Sequence, residues 1–314
     1  MDKFPYKRVL ITGGAGFIGA NLIRILRKLQ AKVIVIDNLS TGRRTYLQGI
    51  DVEFHDADIQ RLQQILPCFD NVDAVIHLAA YGNVIESLRE PLKNFHVNAQ
   101  GTLNVLEAAR LSRVRKFLFA STGGALMGKT PPPVDEQSVP RPISPYGASK
   151  LAGEGYCSAY SEAYGLSAVC CRFGNVYGEY SAHKKGVITR FIKNISQDKP
   201  LTIYGDGTSA RDYIYVDDLC DGIIRALNNE SKGFDIFHLA TGTGTTIGDL
   251  ADSLYALFPN AKRAITFKPE RVGEVIRNFA SYDKADKVLD FKPQVSLREG
   301  LEKTVRWYKE HVLK

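Results

Sequence analysis

Short apolar runs alternate with longer amphipathic stretches through the first half of the chain. Val9-Leu-Ile11, Val33-Ile-Val-Ile36, Ala74-Val-Ile-His-Leu78 and Lys116-Phe-Leu-Phe-Ala120 carry almost no polar residue. A strand with one wet face alternates apolar and polar positions; a strand without that alternation is covered on both faces. Between these runs, residues 17–29 place Ile18, Leu22, Ile25, Leu26 and Leu29 at helical spacing, and residues 103–111 read as a second helix. Buried strands separated by helices predict an α/β fold built on a doubly wound parallel sheet. After Tyr177-Gly178 the rhythm shortens, and Gly, Lys and Pro punctuate briefer elements such as Leu201-Thr-Ile-Tyr-Gly-Asp-Gly207. The pattern predicts a first domain over residues 1–178. Residues 179–314 form a smaller, mostly substrate-binding α/β lobe, with about 213–240 returning to the first domain. Pro131-Pro-Pro133 reads as a loop within the first domain.

Composition changes this picture little. No apolar run approaches the ~20 residues of a membrane helix, and no signal-peptide h-region precedes Val9. Five cysteines, Cys68, Cys157, Cys170, Cys171 and Cys220, form no Cys-x-x-Cys pair, which favours reduced thiols and a cytoplasmic setting. The net charge of +7 is spread without a dense basic block or interleaved aromatics, so nucleic acid is not an expected partner. Cys170-Cys171 reads as core. His77 and His96 read as packed, hydrogen-bonded histidines in apolar surroundings. Glu154 and Glu162 read as solvated helix positions. The acids and histidines show no metal-ligand spacing.

Chemistry enters at two places. Gly14-Ala-Gly-Phe-Ile-Gly19, extended by Gly13, follows a strand and opens a helix. Glycines in that setting permit a tight turn and close backbone approach to a pyrophosphate, and the helix N-terminus offers unpaired N–H groups. Asp37 ends the next strand, 18 residues after Gly19. A carboxylate there accepts from a ribose hydroxyl and repels a 2′-phosphate, favouring NAD over NADP. Arg43 and Arg44 would suit a 2′-phosphate, but they lie beyond the strand end and read as solvated. The second place is Tyr146-Gly-Ala-Ser-Lys150. Residues four apart share a helix face. An ammonium beside a phenol favours the phenolate, which otherwise forms only near pH ~10.

These segments, in this order, resemble the extended short-chain dehydrogenase/reductase superfamily and, within it, the nucleotide-sugar epimerase group typified by the UDP-glucose 4-epimerases. The carriers are Thr12 to Gly19, Asp37-Asn-Leu39, Asp58-Ile59, His77-Leu-Ala-Ala80, Asn98-Ala-Gln-Gly-Thr-Leu-Asn104, Ser121-Thr-Gly-Gly124, Ser144-Pro-Tyr-Gly-Ala-Ser-Lys150, Arg172-Phe-Gly-Asn-Val-Tyr-Gly178 and Leu201 to Asp218.

The resemblance implies NAD as cofactor and C4 epimerisation of a UDP-sugar through a transient 4-keto sugar. It implies a cofactor site of Gly13, Gly16, Phe17, Ile18, Gly19, Asp37, Asn38, Asp58, Ile59, Leu78, Ala79, Asn98, Tyr146, Lys150 and Phe173. It implies substrate contacts from Thr122, Tyr146, Asn175, Gly186, Val187, Arg211, Arg271 and Asn278, with the two arginines clamping the diphosphate bidentately. A homodimer is common in such proteins.

The chain also departs from the family's commoner pattern. The usual catalytic hydroxyl position falls on Gly123, which leaves Thr122, then Ser121, to supply it. Met127 replaces a more usual tyrosine. Sugar-nucleotide dehydratases place acids on this loop, whereas Gly123, Gly124 and Ala125 cannot move protons, so dehydration is not expected. Asn278 would lie near the sugar 2-substituent, where a smaller residue than tyrosine leaves room for an N-acetyl group. A nucleotide-sugar reductase or dehydrogenase, a UDP-glucuronate-type epimerase with Arg277 nearby, and a non-catalytic NAD-sensing regulator stand as alternatives.

Overall fold

The computed structural model describes residues 4–270 and 275–313. Thirteen strands run in chain order among the described residues: β1 (Arg8–Thr12), β2 (Lys32–Ile36), β3 (Glu53–His55), β4 (Ala74–His77), β5 (Lys116–Thr122), β6 (Ser167–Phe173), β7 (Asn175–Tyr177), β8 (Leu201–Tyr204), β9 (Ala210–Tyr215), β10 (Phe234–Leu239), β11 (Gly244–Thr246), β12 (Ile265–Lys268) and β13 (Arg277–Asn278).

Seven of them form one parallel sheet in the order β10-β6-β5-β4-β1-β2-β3. Its inner strands are largely apolar because each face is covered. Val9, Ile11, Val33, Val35, Ala74 and Ile76 enter one core. Their alternates Leu10, Ile34, Ile36, Val75, Phe117 and Phe119 enter a second core on the opposite face. The expected α/β, doubly wound architecture is borne out. Chain order reverses between β1 and β4, and such a reversal opens a crevice at the carboxyl ends of the strands.

The Phe17–Lys28 helix buries Leu22, Ile23 and Leu26 on the first face. The 20-residue Pro145–Tyr164 helix lies on the second. Ser144 caps that helix by accepting from the Gly147 N–H at 3.2 Å, Pro145 sits in its first turn, and Gly165 ends it with φ 70°. A single such cap stabilises a helix by about 1 kcal/mol.

The remaining strands lie apart from the main sheet. β9 pairs with β7, β11 and β13, and β8 pairs with β12. Within residues 213–240, β10 and the Val216–Asn228 helix join the first layer, the helix packing on Phe17–Lys28. Tyr213 to Tyr215 belong instead to the small sheet on β9. The helix foreseen over 103–111 begins earlier. Pro91–Asn94 continues through a π-helical stretch, Phe95–Gln100, into Gly101–Leu111. All five cysteines are free and buried. No helix among the described residues is long and apolar enough to cross a membrane.

Candidate active site

The cofactor side is built on the β1 turn. Gly13 has φ +71°, and a Cβ there would stand 2.8 Å from the Ala79 nitrogen, so the turn lies directly against Leu78-Ala79 after β4. A Cβ at Gly19 would stand 2.6 Å from the Gly14 Cα, so the helix also starts against bare backbone. Gly16 caps the Phe17–Lys28 helix without a side-chain hydrogen bond, and no acid occupies the first turn. That leaves backbone N–H groups and the positive helix end for a diphosphate.

The buried Asp37 accepts from the Ala15 N–H (3.0 Å) and the Leu39 N–H (2.9 Å), tying the glycine turn to the end of β2. Burial raises its carboxyl, and those two bonds pull it back. Asn38 donates to Asp58 (3.2 Å), and Asn104 holds the carbonyl of the buried Ile59 (2.9 Å). Arg43 and Arg44 are exposed, and Arg44 rests on the Phe54 ring. These residues fit a dinucleotide: a glycine cradle, a helix start free of acids, and a carboxylate at the neighbouring strand end.

Thr12 and His77 brace this turn from below. The Thr12 hydroxyl shares a 2.6 Å hydrogen bond with His77 Nδ1, and Nε2 meets the Thr102 hydroxyl at 2.9 Å. Burial pushes His77 down to about 3, so its ring is neutral. The expectation of a packed, hydrogen-bonded histidine holds for His77. For His96 the packing half fails: it is exposed on the π-helical stretch, hydrogen-bonded to Gln100 and edge-on to the Phe95 ring.

The reacting side lies where β5 and β6 end beside the Pro145–Tyr164 helix. Thr122 and Phe173 are register partners at those ends. Gly147 lets the helix approach closely, since a Cβ there would stand 2.1 Å from the Ala125 carbonyl oxygen. Tyr146 is half-buried, and burial pushes its phenol up to about 12, while the neighbouring Thr122 hydroxyl pulls it down. The Lys150 ammonium donates to the Ala120 carbonyl (2.7 Å) and lies 4.7 Å from the Phe119 ring centre. Burial depresses it to about 8. The Ser121 hydroxyl points elsewhere, donating to Glu154 at 2.6 Å. Of the two candidate hydroxyls, Thr122 is thus the one on the phenol.

Glu154 is not the solvated helix position its polar neighbours suggest. It is 4% exposed, and both its oxygens accept from the Arg172 fork, at 2.9 and 2.8 Å. The exposed Glu162 matches the expectation. Two further residues hold the dyad without any sequence signal. Ser149, between Tyr146 and Lys150, donates to the Tyr146 carbonyl (2.8 Å) and accepts from Asn98 (3.0 Å). Ser87 accepts from the Tyr146 N–H at 3.2 Å. Asn98 reaches inward from the π-helical stretch, a widened turn of a kind often found at functional sites.

The small sheet supplies the opposite wall. Arg211 on β9 and Asn278 on β13 are register partners. The Arg211 guanidinium donates to the Ala210 and Ile276 carbonyls. Asn278 is buried against the Gly123-Gly124 turn, where a Cβ on Gly124 would stand 2.9 Å from its Oδ1. The exposed Asn175 begins β7, and Gly186 caps the Val187–Ile195 helix. An ion pair between Lys185 and Glu86 joins that segment to the Val84–Arg89 helix. Asp212 was not anticipated. It gathers the Thr241 hydroxyl and the N–H groups of Thr241, Gly242 and Ala280, tying β9 to its neighbouring loops. Arg271 lies outside the described residues.

Comparison with known proteins identifies the family. The profile of the NAD dependent epimerase/dehydratase family matches residues 9–240. The chain is 36% identical to the UDP-glucose 4-epimerase of Mycolicibacterium smegmatis, covering 96% of this chain and 98% of that one. It is 34% identical to the UDP-glucuronate 4-epimerase of Thermodesulfobacterium geofontis, covering 96% of each. The crystal structure of Thermus thermophilus UDP-glucose 4-epimerase in complex with NAD superimposes with a TM-score of 0.91 at 35% identity, covering 97% of this chain and 100% of that one. The chain belongs to the NAD dependent epimerase/dehydratase family, as an NAD-dependent enzyme in the epimerase group of the extended short-chain dehydrogenases/reductases.

Proposed function

We propose that this enzyme inverts C4 of a UDP-sugar, interconverting UDP-glucose and UDP-galactose and also accepting their N-acetyl forms. One observation carries the reading. A proton-transfer group, Tyr146 with the Thr122 hydroxyl beside it and Lys150 one turn on, starts a helix that packs at Gly147 on Ala125, and the adjoining Gly123-Gly124-Ala125 turn holds no acid. Such a site can take and return a hydroxyl proton, but it offers no group there for elimination at neighbouring carbons.

NAD would supply the hydride acceptor and donor for C4, held by the glycine turn, Asp37 and Lys150. In this reading Lys150 would hold the cofactor's ribose and Phe173 would flank its nicotinamide. The Tyr146 oxygen takes the proton of the sugar 4-hydroxyl, Thr122 orients that hydroxyl, and the same oxygen returns the proton after the keto sugar has turned. Arg211, Arg271 and Asn175 hold the diphosphate while it turns, and Gly186 and Val187 line the nucleotide side. Asn278 faces the sugar 2-substituent, and its modest size favours N-acetyl acceptance. Substituting Asn278→Tyr is expected to abolish N-acetyl turnover and spare glucose turnover. Equal activity on both sugars would overturn that role.

UDP-glucuronate is a second substrate reading, supported by the exposed Arg277 beside Asn278 and by similarity to a UDP-glucuronate 4-epimerase. The exposed Leu88, Leu92, Phe95 and Tyr164 on neighbouring helices support a homodimer through that face. Light scattering should give twice the chain mass, and a monomer at micromolar concentration would refute it.

The test of function is NMR of UDP-glucose, UDP-galactose, their N-acetyl forms and UDP-glucuronate, each incubated with purified protein and no added NAD. Appearance of the C4 epimer supports the reading. A product formed only with stoichiometric cofactor turnover would identify a reductase or dehydrogenase. No turnover of any sugar would favour a non-catalytic NAD-binding role.

A further inference from the structure

We propose that Glu154 is a positioning residue for the reaction: clamped between Ser121 and Arg172, its carboxylate fixes the strand ends that carry Thr122 and Phe173 and sets a negative charge one helical turn behind Lys150. The kinetic part of this inference rests on the epimerase reading; the structural part does not.

Tyr146, Lys150 and Glu154 are spaced by four residues and so form one stripe along the Pro145–Tyr164 helix. The stripe descends onto the sheet. Ser121 on β5 and Arg172 on β6 are register partners, and the next pair along is Thr122 and Phe173. Glu154 bonds both members of the first pair, accepting from the Ser121 hydroxyl at 2.6 Å and from Arg172 Nε and Nη2 at 2.9 and 2.8 Å. It therefore pins the two strands to the catalytic helix one residue before each site residue. His238 on β10 extends the row as the register partner of Arg172, and burial holds its ring neutral at about 3. Ser121, Glu154 and Arg172 are all at least 96% buried, so this clamp is shielded from salt and water.

The electrostatic part follows from the same geometry. Among the described residues, the titratable and charged groups around Lys150 are Tyr146, Glu154 and Cys157 on its own helix, Cys170 on β6 and His77 on β4. Burial keeps Tyr146, Cys170 and His77 in their neutral forms near pH 7. Glu154 is the carboxylate of this set, and beside Lys150 it favours the protonated ammonium against the burial opposing it, with the paired Arg172 offsetting part of its field.

The experiment uses purified holoenzyme carrying [ε-13C]lysine, with the Lys150 resonance identified by a Lys150→Met variant. In Glu154→Gln the shape is kept and the charge removed. The Lys150 titration midpoint should fall by about one unit, the usual scale for losing a nearby opposite charge. At pH 7.5, kcat should fall about tenfold with KM within about twofold, the pattern of lost alignment rather than lost substrate affinity. The pair Glu154→Gln with Arg172→Gln removes both charges and should bring the midpoint back toward the wild-type value. Arg172→Lys keeps the charge but loses the fork, so it should lower kcat with little movement of the midpoint.

An unchanged Lys150 midpoint in a folded Glu154→Gln protein, or kcat and KM changing together, would overturn the proposal. If Glu154→Gln does not fold, the doubly substituted protein decides: kcat equal to wild type would overturn it. If the wild type turns over no UDP-sugar while the midpoint still shifts, the epimerase reading fails and the placement of Glu154 beside Lys150 stands.

Discussion

Replacing Thr122 by valine removes one hydroxyl and keeps the side-chain shape, with a residue that suits a strand end. The structure sets that hydroxyl beside the Tyr146 phenol, where it can hydrogen-bond the phenolate and lowers the phenol's pKa. A hydrogen bond to a charged group contributes about 1.5–3 kcal/mol. At 1.36 kcal/mol per factor of ten, kcat should fall by about 10- to 150-fold. The same free energy has a signature in pH. With the bond gone, Tyr146 titrates higher still, so the rising limb of kcat against pH should move to higher pH. KM should change less than kcat, because the hydroxyl acts at the reacting carbon rather than on the diphosphate. A second substitution sharpens the test. A Cβ at Gly123 would lie 3.4 Å from the Phe173 carbonyl oxygen and 3.5 Å from His238 Nδ1, so a serine fits without moving backbone. Adding Gly123→Ser to Thr122→Val should recover a large part of the lost kcat by returning a hydroxyl to the strand end. The assay is coupled turnover of UDP-galactose across pH 6–10. A Thr122→Val enzyme within about twofold of wild type at every pH would refute the assignment.

Gly19→Ala would set a Cβ 2.6 Å from the Gly14 Cα and 2.7 Å from two carbonyl oxygens, all backbone, so the turn must open. Nucleotide extracted from that variant should contain little NAD, and a wild-type NAD content would contradict the cradle. His77 and His238 are both held neutral by burial, at about 3 against an ordinary 6.5. The unfolded chain therefore binds more protons between those values, and stability is full above pH 6.5 and lost as pH falls toward 3. At pH 5 the loss should be about 2 kcal/mol per histidine. Urea denaturation at pH 7 and pH 5 should show this, with a smaller difference in His77→Gln; an equal difference in that variant would contradict the origin proposed.

What could be read from the sequence, and what could not, divides along physical lines. Runs such as Val33-Ile-Val-Ile36 declare themselves because both of their faces enter a core. The three-residue β3 and β7 are too short for any period to emerge. The helix ahead of residue 101 was hidden because a π-helical stretch breaks the 3.6-residue period on which its recognition depends. The glycine turn, Asp37 and the Tyr146–Lys150 stripe were legible because each is local: the residues that cooperate are neighbours in sequence or one helix turn apart. Glu154 was misjudged because its partners, Ser121 and Arg172, come from two strands that only the fold brings beneath it. Asp212 escaped for the same reason, since the groups it gathers lie 29 to 68 residues away.

The most direct test of the central claim uses UDP-glucose deuterated at C4, incubated with the purified protein and no added cofactor. Hydride removal and return at one carbon predicts UDP-galactose that keeps the deuterium at C4, with none released to water. Loss of the label to solvent, or a product that accumulates only in step with oxidised or reduced cofactor, would contradict it.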